Sequence, residues 1–217
     1  MTPPPPRPRA FLFDWDNTLA EGWPAVAAAL NAVFRRRNLP EWTPEQARAR
    51  VRGSARDSFP VLFGDGWEDD LALYLATFRA EHLRHLRAMP GAVALLAACA
   101  HRPCALVSNK TGALLRVEVG QLGWTGRFGA IIGAGDAAAD KPDPAPLHLA
   151  LSRLGLAAGP DIWFVGDTAL DMRAARAAGC RAVLLGDAAH DGGVANAAPD
   201  AHYAEVFRLI EEIAALA

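Results

Sequence analysis

The stretch Ala10-Phe-Leu-Phe-Asp-Trp-Asp-Asn-Thr18 decides how the chain is read. Four apolar residues in a row stop at Asp14, and a second carboxylate follows two positions later. A short run that is apolar throughout, rather than alternating, is the pattern of a strand buried on both faces of a parallel sheet. Four further runs of this kind are Cys104–Val107, Ala130–Ile132, Ile162–Val165 and Ala182–Leu185. Helical stretches separate the later ones, at Thr111–Leu122, Ala145–Leu154 and Leu170–Ala178, with Gly155 and Gly179 placed where helices end. Strand and helix in alternation predict an α/β fold, a doubly wound parallel (Rossmann-like) sheet, closed by a last helix over Ala204–Leu216.

One interval breaks that rhythm. Ser108 lies 94 positions after Asp14 (108 − 14), whereas a strand–helix–strand unit needs only about 30 residues. The interior reads as helix: an Ala-rich segment at Trp23–Arg37, a capping box at Thr43-Pro-Glu-Gln46, and an apolar stripe along Trp67–Arg87. The predicted organisation is a solvated proline-rich arm over residues 1–9, an α/β core over 10–19 and 89–217, and a helical insert over 20–88. Arg35–Arg37 reads as a solvated helix end, and Gly53–Ser58 as a polar break between two helices of the insert.

Composition narrows the function classes. The 217 residues are 52% hydrophobic and 21% charged, which excludes wholesale disorder. A formal net charge of −2 gives no global basic field for nucleic acid or an anionic membrane. No apolar run approaches the roughly 20 residues that span a bilayer. Three cysteines without C-x-x-C spacing fit neither a disulfide framework nor a zinc knuckle, and point to the reducing cytoplasm.

Open parallel sheets bind ligands beyond the carboxyl ends of their strands. The residues there are Asp14-Trp-Asp-Asn-Thr18, Ser108-Asn-Lys110, Asp140-Lys-Pro-Asp143 and Gly166-Asp-Thr-Ala-Leu-Asp171. Carboxylates, a hydroxyl and a lysine converging on one crevice predict a site for a metal ion and an anion. Two histidines three apart, His82 and His85, lack a third ligand and read as packing or surface residues.

This ordered set resembles the haloacid dehalogenase superfamily of phosphotransferases, whose four motifs run Asp-x-Asp-x-Thr, Ser/Thr, Lys and Gly-Asp-x-x-x-Asp. The resemblance covers residues 10–217, and the helical insert sits where one subclass carries its cap. It implies a phosphatase, similar to phosphoglycolate phosphatases, acting on a small phosphorylated metabolite with Mg2+ as cofactor. Asp14 would be the nucleophile forming an aspartyl-phosphate, and Asp16 the acid and then base of the two half-reactions. Ser108 and the Asn109 amide would hold phosphoryl oxygens, and Lys141 would neutralise charge at the nucleophile. Asp14, the Asp16 carbonyl and Asp167 would hold the metal, supported by Asp171. Asn17 replaces the family's usual glycine but tolerates a positive φ, Thr18 would lock that turn, and Trp15 would point away into packing. Arg56, in the Gly53–Ser58 break, is the candidate contact to the substrate beyond its phosphate. The same break is similar to that of β-phosphoglucomutase, so a phosphosugar mutase is the alternative. A receiver-type signalling module shares the sheet and the aspartate, but has half the length and no acid at the position of Asp16.

Overall fold

The structure, a computed structural model, describes residues 7–51 and 55–216, apart from the side chains of Arg56 and Asp57. Its six strands are β1 (Ala10–Phe13), β2 (Cys104–Thr111), β3 (Ala130–Ala134), β4 (Ile162–Gly166), β5 (Arg181–Leu185) and β6 (Ala201–Tyr203). They form one sheet in the order β3-β2-β1-β4-β5-β6, and every neighbouring pair is parallel. The chain winds outward through β1, β2 and β3, then returns to lay β4 against the other side of β1. That reversal opens a crevice at the carboxyl ends of β1 and β4.

Between β1 and β2 come α1 (Trp23–Arg36), α2 (Pro44–Arg50), α3 (Ala55–Phe63), α4 (Trp67–His85) and α5 (Ala92–Ala98). The later connections carry α6 (Gly112–Gln121), α7 (Ala145–Leu154), α8 (Ala169–Ala177) and α9 (Gly193–Ala197), and α10 (Val206–Ala215) follows β6. The chain divides into two compact units, one of Met1–Ala20 with Ala88–Ala217, the other of Glu21–Arg87.

In the first unit, all four residues of β1 are buried, as an apolar run between two neighbours requires. Phe11 lies opposite Trp163 in the ladder and meets its ring edge-on at 5.9 Å. Gly155 ends α7 at φ 68°, and Gly179 follows α8 at φ 74°, conformations that favour glycine. Three elements of this unit escaped the sequence reading, one of them the five-residue α9. Strand β6 is three half-buried or exposed residues at the sheet edge, too short to carry a pattern. Helix α5 is a seven-residue Ala/Leu segment with no capping signal. Arg9 does not belong to a solvated arm: its guanidinium pairs with Asp161 at 2.8 Å and its amide donates to the Asp161 carbonyl at 2.7 Å. Residues 1–6 of the proposed arm lie outside the described residues.

The second unit packs Leu30, Val33 and Phe34 of α1 against Ala47, Phe59 and Phe63. The Thr43 box forms as expected, with Gln46 N–H donating to Thr43 Oγ1 at 3.2 Å and Thr43 N–H to Gln46 Oε1 at 3.0 Å. Arg37 departs from a solvated helix end. It pairs with the buried Asp70 at 2.5 Å and donates to the carbonyls of Phe63 and Asp65, tying the end of α1 to the turn before α4. The polar break is shorter than predicted, because α3 begins at Ala55 and takes in Arg56 and Ser58. The side chain of Arg56 lies outside the described residues, as do Gly53 and Ser54 altogether.

Candidate active site

Asp14 is the first residue past β1, and its amide still donates to the Val165 carbonyl of β4 at 2.9 Å. The next residues turn sharply. Asn17 adopts φ 62° and donates its N–H to the Ala20 carbonyl, while the Trp15 carbonyl accepts from Leu19 and Ala20. The turn returns Thr18 beneath Asp14, with its hydroxyl 3.4 Å from both Asp14 Oδ2 and Asp167 Oδ1. One hydroxyl proton serves one of these acceptors at a time.

Asp167 follows β4, and Asp171 lies in the first turn of α8. Thr168, not Asp167, caps that helix. Asp171 Oδ2 accepts from the Thr168 amide at 3.1 Å and its hydroxyl at 2.6 Å, completing a capping box. The fit requires Gly166, since a Cβ there would lie 2.5 Å from the Asp171 Cβ and Cγ. Asp171 Oδ1 accepts from Lys141 Nζ at 2.6 Å. The same ammonium donates to Asp14 Oδ1 at 2.6 Å and to the Val107 carbonyl at 3.0 Å. Asn109 fixes Lys141 from behind: its Oδ1 accepts the Lys141 amide at 3.0 Å and its Nδ2 donates to the Lys141 carbonyl at 2.8 Å.

Asp14, Asp167 and Asp171 each offer a buried oxygen within 4.8 Å of the others. Three carboxylates against one ammonium leave two negative charges out of water. Burial pushes the Asp14 carboxyl up to about 7, opposed by Lys141 and reinforced by Asp171. Asp167 is raised well above the usual carboxylate range, by burial first and then by Asp14 and Asp171. Burial works against the charge of Lys141, yet Asp14 and Asp171 outweigh it and raise its pKa. A hard, oxygen-only donor set with uncompensated charge suits a divalent cation. His190 Nε2 stands 3.7 Å from Asp167 Oδ2, a neighbour the sequence did not announce.

The carboxylate of Asp16 goes elsewhere. Its Oδ1 accepts from Lys110 Nζ at 2.8 Å, and Lys110 also donates to Glu118 Oε2 at 2.6 Å. Trp15 is fully buried, as its alternation predicted, but its indole N–H also donates to Glu118 Oε2 at 2.6 Å. Ser108 is buried at the carboxyl end of the regular β2 ladder, its Oγ accepting the Lys110 amide at 3.2 Å. The structure thus gathers Asp14, Lys141, Asp167 and Asp171 into one cluster, and sets Asp16 into a neighbouring one. Lys110 lay within the Ser108-Asn-Lys110 segment without a role of its own, and no motif marked Glu118.

The chain matches the family model of haloacid dehalogenase-like hydrolases over residues 11–185. It belongs to that family. Among curated relatives of this hydrolase, the phosphoglycolate phosphatase of Xanthomonas campestris pv. campestris is 34% identical, covering 81% of this chain and 82% of its own. The phosphoglycolate phosphatase of Chromobacterium violaceum is 30% identical, over 82% of this chain and 85% of its own. A solved haloacid dehalogenase-like family protein from Streptococcus pneumoniae shares the fold, with a TM-score of 0.79 at 20% identity over 94% of this chain and 98% of its own. The match across residues 11–185 includes the helical insert, which a receiver module lacks. No helix among the described residues is long and apolar enough to cross a membrane.

Proposed function

We propose that this hydrolase is a phosphatase that releases phosphate from a small phosphorylated metabolite, using Mg2+ and an aspartyl-phosphate intermediate. The observation that carries the reading is the pairing of Lys141 with Asp14 inside a cluster of three buried carboxylates. Lys141 holds Asp14 Oδ1 at 2.6 Å, whereas Oδ2 has only the Thr18 hydroxyl at 3.4 Å, so Oδ2 is the oxygen we assign to the attack on phosphorus. Asp14, Asp167 and the Asp16 carbonyl would hold the ion, with Asp171 supporting them through Lys141 and Thr168. Bound there, the ion supplies the positive charge that lets a phosphate dianion approach a carboxylate.

In the first half-reaction Asp14 Oδ2 attacks phosphorus in line, the bond from phosphorus to the alcohol oxygen breaks, and Asp16 gives that oxygen a proton. In the second, Asp16 takes a proton from water as the water oxygen bonds to phosphorus. The bond from phosphorus to Asp14 then breaks, and its electron pair returns to the carboxylate. Ser108 and the Asn109 amide hold phosphoryl oxygens as charge shifts among them. The names of the relatives point to 2-phosphoglycolate as the substrate. Arg56 is the residue we assign to its anionic end, from the sequence alone.

The test is phosphate release by purified protein from a panel of phosphorylated metabolites that includes 2-phosphoglycolate. Turnover is expected with Mg2+ and lost after exhaustive chelation; an undiminished rate in chelator overturns the metal assignment. Arg56→Ala is expected to lower the ratio of kcat/KM for 2-phosphoglycolate to that for nitrophenyl phosphate. An unchanged ratio removes Arg56 from the substrate site.

A further inference from the structure

We propose that Lys110, anchored by Glu118 and Trp15, is a positioning residue that aims the Asp16 carboxylate at the leaving-group oxygen. This rests on the phosphatase reading above, and assigns work to three residues that reading leaves idle.

The argument begins in the backbone. Strand β2 pairs with β3 through Val107 opposite Ile132 and then Thr111 opposite Ala134. Four steps on β2 therefore match two on β3, so two extra residues are accommodated within Ser108–Lys110. A bulge of this kind breaks the strict alternation of a strand and re-aims the side chains on it. Ser108 Oγ holds the bulge by accepting the Lys110 amide. The Lys110 side chain, only 7% exposed, then runs to Asp16 Oδ1 on one side and Glu118 Oε2 on the other.

The anchor is stiffer than the residue it serves. Glu118 is 1% exposed on α6, and its Oε2 takes both the Lys110 ammonium and the Trp15 indole N–H. Trp15 is itself locked in the core, edge-on to Trp124 at 5.9 Å. Asp16 is different: its side chain is 34% exposed and sits on a turn, with free rotation about χ1 unless something holds it. An acid that must meet a departing oxygen gains from being held within a few tenths of an ångström of the productive position. Lys110 takes Oδ1, which leaves Oδ2 as the oxygen that carries the proton to and from the reacting groups. A merely stabilising role is a poor account of the trio, because a buried ion pair seldom outdoes an apolar replacement of equal volume.

The discriminating measurement is leaving-group dependence, which a structural defect does not mimic. A poor leaving group such as the alkoxide of 2-phosphoglycolate needs the proton; nitrophenolate departs without it. We expect Lys110→Met combined with Glu118→Gln, which avoids stranding a buried carboxylate, to lower kcat/KM for 2-phosphoglycolate, which reports the first half-reaction, by roughly 100- to 300-fold, at the lower end of the usual span for general acids. The kcat/KM loss on nitrophenyl phosphate is expected to stay under about threefold, and Asp16→Asn should show the same selectivity in kcat/KM while kcat falls for both substrates, because they share the base of the second half-reaction. Adding Asp16→Asn to the double variant should then cost nothing further in kcat/KM, since residues that act as one unit are not additive. Trp15→Phe, which removes the indole N–H and keeps a six-membered aromatic ring, should show a weaker loss of the same selectivity. Equal losses on both substrates in the Lys110 variant, with Asp16→Asn still selective, overturn the positioning role alone. If Asp16→Asn is itself unselective, the acid–base role of Asp16 fails, and this inference fails with it. Should the Lys110 variant not fold, Trp15→Phe alone decides, and an unselective loss there overturns the proposal.

Discussion

Two buried lysines stand side by side at the carboxyl ends of the strands, and each bridges two carboxylates. Lys141 holds Asp14 and Asp171 at 2.6 Å, and Lys110 holds Asp16 at 2.8 Å and Glu118 at 2.6 Å. The difference lies in what surrounds them. The Lys141 cluster has a third carboxylate, Asp167, and every member is buried. Three carboxylates share one ammonium there, a donor set that suits a cation. The Lys110 cluster has two carboxylates and an indole donor, and one of its members faces solvent. Its charge is nearly satisfied, so it serves geometry. The same ion-pair motif thus does opposite things: one cluster holds unbalanced charge for a ligand, and the other fixes a direction.

The largest effect that tests this contrast comes from removing one carboxylate from each cluster. Asp14→Asn is expected to abolish turnover, because the amide cannot form the covalent intermediate. In the metal-free protein it should nevertheless stabilise the fold. The carboxyl of Asp14 rises from 3.8 to about 7 on folding. The folded state therefore binds this proton more tightly than the unfolded state, and stability is lost as pH climbs from about 4 to about 7. Above that window the variant should exceed wild type by ~2–4 kcal/mol. Glu118→Gln should do the reverse and cost ~1–3 kcal/mol, since it weakens a satisfied hydrogen-bonded pair. Denaturant titrations at pH 5 and pH 8 in chelator check both. Stabilisation by both substitutions would erase the distinction between the clusters.

A middle-sized effect is expected at Gly166, which belongs to the first cluster only. A methyl there would meet the Asp171 side chain at 2.5 Å, too close to persist, so Asp171 must move away from β4. Asp171 in turn anchors Lys141. Gly166→Ala should therefore cost ~1–3 kcal/mol of stability through overpacking. It should also lower kcat by roughly a hundredfold, the scale of an ångström misplacement near the reacting atoms. Because the Lys110 cluster is untouched, the loss should be equal for alkyl and aryl phosphates. A loss confined to alkyl phosphates would show the clusters to be coupled.

The first cluster was legible in the sequence and the second was not, for a physical reason. Asp14 and Asp167 lie directly past strand ends, Asp171 is in the first turn of the helix that follows, and Lys141 is in the loop after β3; apolar runs such as Ala10–Phe13 and Ile162–Val165 mark those ends sharply. Lys110 and Glu118 meet because a bulge re-aims one and a helical turn presents the other, and neither device leaves a periodic trace. Asn109 was assigned for its backbone amide, whereas its side chain clasps the Lys141 backbone across 32 positions of sequence. Helix α3 was hidden by its own polar first turn and by Pro60 inside it. Strand β6 lacked the length to show any alternation.

The smallest effect concerns Asn17, which joins the two clusters: it directly follows Asp16 and lies three residues past Asp14. At φ 62° it occupies the left-handed region, where a β-carbon costs ~1–2 kcal/mol and where asparagine is better tolerated than most residues. Asn17→Ala should lose about 1 kcal/mol of stability. For a chain of this size that corresponds to a Tm about 2–4 °C lower. Asn17→Gly should be close to neutral, since the relief of native strain is offset by the greater freedom of glycine in the unfolded chain. The kinetic outcome is the sharper one. If Lys110 alone holds Asp16 in place, only the common dependence on Asp14 is disturbed, and the added loss on alkyl phosphates stays at zero even as stability falls. A selective loss on alkyl phosphates would instead place the aim of Asp16 in the turn, and would take that task away from Lys110.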